Sequence, residues 1–96
     1  MITAEIITAE ILGDIITYIA CVNGYGSEKA VSYYDFRDWT DIVFTIPEVA
    51  NGYKWLVANG FIEEFMNDRH SDEKNYYNIR ATAKAWAWAK KHNIEL

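Results

Sequence analysis

The chain has 96 residues, 51% of them hydrophobic and 16% aromatic, which is material for one modest core and excludes a disordered tail. A lone cysteine, Cys21, excludes an internal disulfide and favours a reduced, cytoplasmic setting with Cys21 as a small buried apolar residue. The net charge of −5 is uneven: residues 1–68 hold eleven acids against three bases, while residues 69–96 hold six bases against three acids, so a polyanion would prefer the C-terminal third.

The chain opens on a tandem pentapeptide, Ile2-Thr3-Ala4-Glu5-Ile6 and Ile7-Thr8-Ala9-Glu10-Ile11. Five residues is not a helical period, so the repeat carries no architecture of its own. The underlying spacing predicts a helix over about 3–22, with Ala4, Ile7, Ile11, Ile15, Tyr18 and Val22 on one stripe. Leu12, Ile16 and Ile19 widen that stripe, and the polar arc of Thr3, Glu10, Gly13 and Thr17 is narrow. A helix apolar on several sides touches more than one neighbour, so either it sits centrally in the domain or one flank, through Ile16 and Ile19, meets a second subunit in a homodimer. Glu5, Glu10 and Asp14 interrupt the apolar run, and no basic segment precedes it, which argues against a membrane span or signal segment.

Asn23-Gly24-Tyr25-Gly26-Ser27 breaks the chain. A short helix is predicted over about 33–42, with Asp35, Asp38 and Asp41 outward and Tyr34, Phe36, Trp39 and Val43 supplying apolar contacts. Thr45-Ile46-Pro47-Glu48 starts a further helix, because proline in the first turn forfeits only an N–H that has no partner there. That helix runs over about 47–59 and stops at Gly60, burying Val49, Tyr53, Leu56 and Val57. Gly52 falls in its interior, at a cost of about 1 kcal/mol relative to alanine.

After Gly60 the period changes. Phe61–Met66 and Tyr76–Ile79 suit two strands of a hairpin spanning about 61–79, with a long polar tip over Asn67–Asn75. Thr82 caps a last helix over about 82–92, ended by Asn93, with Lys90, Lys91 and His92 in the turn where cations complement the helix dipole. Ile79, Ala83, Trp86 and Ala87 form its expected apolar face, and Trp88 points elsewhere.

This order is mainly α with a small β-hairpin, one domain over 1–96. Leu56-Val57-Ala58-Asn59-Gly60-Phe61-Ile62-Glu63-Glu64 resembles the junction between recognition helix and wing in MarR-like and PadR-like transcriptional regulators. Asp68-Arg69-His70 followed by Tyr76-Tyr77-Asn78-Ile79 is similar to their wing and returning strand. The resemblance covers about residues 32–92 and implies a winged-helix domain with an extra N-terminal helix, duplex DNA as partner and a dimeric state. Asn51 and Trp55 stand where such recognition helices often carry arginine, and Asp35, Asp38 and Asp41 would face a phosphate backbone.

Two functions therefore remain open. In a transcriptional regulator, Asn51 reads an adenine edge, Lys54 meets a phosphate, and Arg69, with His70 and Lys74 near it at the wing tip, enters a minor groove. In a non-enzymatic interaction module or inhibitor, by analogy with compact phage- and plasmid-type proteins that bind host machinery, Trp55 anchors a protein partner. Trp55 could equally cover a neighbouring helix, and the wing tip could be a solvated loop. Trp88 is expected at a dimer interface, with packing on its own core as the alternative. Two histidines and one cysteine without metal-ligand spacing, and no nucleophile or phosphate-loop motif, predict no enzyme, metal or cofactor. Glu63 and Glu64 are adjacent in a strand and point to opposite faces, which excludes a catalytic pair.

Overall fold

A computed structural model describes residues 4–66 and 76–92, with side chains from Ile7 onward. The described part is mainly helical with a small antiparallel sheet: α1 (Ala4–Asn23), β1 (Val31–Ser32), α2 (Tyr33–Trp39), α3 (Pro47–Ala58), β2 (Ile62–Met66), β3 (Tyr77–Ala81) and α4 (Ala83–Lys91).

The first helix is the hub of the core. Ile11, Leu12, Ile15, Ile16 and Ile19 are all essentially inaccessible, enclosed by Phe36, Leu56, Ile62, Ile79, Ala85 and Trp86 from the other elements. Each such aliphatic side chain contributes roughly 1.5–3 kcal/mol by leaving water. The wide stripe is explained by contacts with α2, α3, α4 and β3 on different sides of α1. Ile16 and Ile19 are therefore not subunit-interface residues: the chain's own core already covers them completely. Two further expectations fail at the end of α1, where the helix outruns the core. Val22 is 55% exposed, and Cys21 is exposed rather than buried.

The sheet has three strands in the order β1-β3-β2, not the two of a hairpin. Val31 pairs with Ile79 and Ser32 with Asn78, a two-residue strand too short to show a period in sequence. Trp86 secures the approach to it by donating its indole N–H to the Ser27 carbonyl at 2.9 Å and packing on Tyr25. Helix α2 starts at Ser32, whose side chain accepts from the Asp35 N–H, and ends three residues earlier than expected. Thr40 ends it, turning extended and donating its hydroxyl to Asp14 on α1 at 2.6 Å.

Helix α3 ends in a Schellman motif. Gly60 takes φ +79°, its N–H reaches the Val57 carbonyl at 3.2 Å, and the Phe61 N–H reaches the Leu56 carbonyl at 3.0 Å. Thr82 then ties both ends of the hairpin together, donating its hydroxyl to the Gly60 carbonyl at 2.6 Å and its N–H to the Phe61 carbonyl at 3.1 Å. The same hydroxyl accepts the Ala85 N–H and so caps α4. The buried face of α4 is Ala85, Trp86 and Ala89, whereas Ala83 and Ala87 are exposed, one helical step from the face expected. No helix among the described residues is long and apolar enough to cross a membrane.

Candidate functional site

Helix α3 is clamped between two unlike surroundings. On the sheet side, Tyr53 is 8% exposed and lies edge-on to Tyr33 and Phe44 at ring separations of 5.8 Å. Tyr33 in turn stacks on Tyr77 at 4.4 Å. The Tyr53 and Tyr77 hydroxyls lie 3.0 Å apart, and Tyr53 also donates to Glu64 at 3.4 Å. Burial, then the negative charge of Glu64, pushes the Tyr53 phenol far above its ordinary range, so it stays protonated. A shallow cavity of about 370 Å³ lies beside this cluster, with Lys54 at its edge.

On the other side, α3 meets α1. Gly52 is buried there, and a Cβ at that position would stand 3.0 Å from Thr8 Oγ1 and 3.2 Å from Ile11 Cδ1. The interior glycine is thus the contact point of the two helices, and its helix-propensity cost is offset by that close approach. Flanking the contact is a groove of about 590 Å³, walled by Thr8, Ala9 and Leu12 of α1 and by Glu48, Asn51 and Trp55 of α3. Phe61, at the junction before β2, and Trp88 of α4 also line it.

Trp55 is 50% exposed and stacks on Phe61 at 5.7 Å with the planes 22° apart. Across the junction, Lys84 donates to the Asn59 carbonyl at 2.8 Å and sits 4.5 Å over the Phe61 ring. Its charge is committed to the exposed carbonyl end of α3 and to that ring. Arg80, the other cation of this region, is held by Glu63 at 2.8 Å on the neighbouring strand position.

The residues singled out in sequence divide accordingly. Asn51 and Trp55 share the groove, and Trp88 joins them from α4, half-buried and packed on His92 at 4.6 Å. Lys54, between Asn51 and Trp55 only in sequence, turns to the sheet side, because neighbours in a helix lie about 100° apart. Arg69, His70 and Lys74 lie outside the described residues. Glu63 and Glu64 part as expected, one to Arg80 and the other to Tyr53.

No family model, curated protein or solved structure matches this chain. What the site does must follow from its own chemistry.

Sequence reasoning missed three features here. Phe61 reads in sequence as a strand and junction residue, yet its ring is the platform under Trp55 and Lys84. Thr8 and Ala9 carried no signal beyond the repeat, and the groove depends on their being small. Among the described residues, no group of three or more His, Cys, Asp or Glu side chains could hold a metal ion.

Proposed function

We infer that this protein is an interaction module with a winged-helix architecture that binds a protein partner through the α1–α3–α4 groove. The order helix, strand, helix, helix, hairpin, helix and the strand order β1-β3-β2 support the architecture. The observation that carries the function is the half-exposed Trp55, held on Phe61 above an apolar groove. A large aromatic ring fixed in place loses little entropy on binding and supplies much apolar contact, the properties of an interface anchor.

A transcriptional regulator that reads duplex DNA through α3 and the hairpin tip is the second reading. What favours it is that the hairpin directly follows α3, so that tip and helix could engage adjacent grooves. The chemistry of the helix weighs against it. The exposed positions of α3 carry Pro47, Glu48, Asn51, Trp55, Ala58 and one cation, Lys54, while Arg80 and Lys84 are engaged within the domain. Neutralising phosphates supplies most non-specific DNA affinity, and this helix has little with which to do so.

The deciding experiment pairs two measurements. Fluorescence anisotropy with a random duplex at about 50 mM salt, where electrostatic affinity is strongest, is expected to show no binding. Co-purification of a partner from cells is expected to survive Lys54→Ala and fail on Trp55→Ala. Salt-sensitive duplex binding that weakens on Lys54→Ala would overturn the protein-binding reading in favour of the regulator.

A further inference from the structure

Resting on the protein-binding reading above, we propose that the partner presents a basic amphipathic helix, whose apolar face lies along the groove with a cation opposite Glu48. The walls of the groove determine the shape of its occupant. They are helices, whose interior N–H and C=O groups are already paired, so they offer no strand edge for an extended peptide to continue. A helix satisfies its own backbone and needs from the groove only apolar contact. Ala9 keeps the α1 wall low, and Trp55, Phe61 and Trp88 supply the accessible apolar surface over a floor closed by Leu12 and Leu56.

Charge sets the sign of the partner. Glu48 is the one charged side chain among the described residues lining the groove. Both long walls come from residues 1–68, where eleven acids face three bases. Lys84, over the Phe61 ring, is spent on that ring and on the Asn59 carbonyl and so is poorly placed to receive an acidic helix. A negatively charged partner would meet like charge at Glu48, whereas lysine or arginine would find a carboxylate in the groove lining.

The test uses three synthetic helices of about 18 residues with leucine at i, i+3, i+4 and i+7, their polar positions filled by lysine, glutamine or glutamate. Each is titrated into the isotope-labelled protein, following the indole N–H signals of Trp55 and Trp88 and the amide of Gly52. The lysine peptide is expected to move these signals and to bind at least about tenfold more tightly than the glutamine peptide, with the glutamate peptide weakest. Trp55→Ala is expected to weaken binding about tenfold or more, and Glu48→Lys to abolish the preference for lysine; both positions are exposed, and circular dichroism checks that both variants fold.

Equal binding of all three peptides in the groove would overturn the basic partner while leaving the groove as a protein site. Shifts scattered over the acidic surface that survive Trp55→Ala, or no shift at the groove with any peptide, would overturn both. Sedimentation of the protein alone separates the remaining occupant: a dimer dissociated by Trp55→Ala would show that a second copy fills the groove and would overturn the proposal.

Discussion

Two aromatic residues on α3, only two positions apart, have opposite fates. Tyr53 faces the sheet, with its ring enclosed by other rings and its hydroxyl tied to Tyr77 and Glu64. Trp55 faces the groove, with one face on Phe61 and half its surface in water. The difference teaches that aromatic content alone does not locate a core. An aromatic ring stabilises the fold where its neighbours surround it, and is available for binding where they support only one face.

Substitution on the closed side should cost most. Tyr53→Ala removes a buried ring and leaves the Tyr77 hydroxyl without one of its partners, so chemical denaturation is expected to show a loss of about 3–4 kcal/mol. A loss under about 1 kcal/mol would erase the contrast between the two faces. Next comes the contact of α3 with α1. Gly52→Val places branched carbon against Thr8 and Ile11, and a loss of about 1–3 kcal/mol is expected despite the removal of an interior glycine. If that variant were more stable than the parent, the close approach of α1 and α3 would be wrong.

A subtler test uses pH. Because the Tyr53 phenol is raised in the folded state by burial and by Glu64, its contribution is fully present below the unfolded value of 10.0 and declines as pH rises above it. The melting temperature should fall more steeply above pH 10 in the parent than in Tyr53→Phe, which cannot ionise. Parallel curves for the two proteins would mean that Tyr53 is not enclosed. The smallest effect on stability is expected on the open side. Trp55→Ala should change it by less than about 1 kcal/mol while abolishing partner binding, and a large loss of stability would make Trp55 a core residue.

The elements themselves were largely legible in the sequence. The apolar spacing of α1, Pro47 at the start of α3, Gly60 at its end and Thr82 before α4 are local signals, each acting on the backbone within a turn of itself. They fall within a few residues of the structure, apart from α2, where a hydrogen bond from Thr40 to the distant Asp14 accompanies the early stop. Strand β1 was not legible, because two residues carry no periodicity and its pairing with β3 joins segments far apart in sequence.

The site divides in the same way. The sequence alone singles out Asn51 and Trp55 as candidate partner contacts and Trp88 as a candidate dimer contact or core cover, and its uneven charge makes the N-terminal two thirds acidic. Only the tertiary structure decided that these three line one groove, that Lys54 belongs to the other side, and that Ile16 and Ile19 are interior. The physical reason is that a helix face is periodic and can be read along the chain, whereas its cover depends on which distant element arrives. Here Gly52 lets α1 come close enough to fill one side, and the same crossing leaves Trp55 standing at its edge.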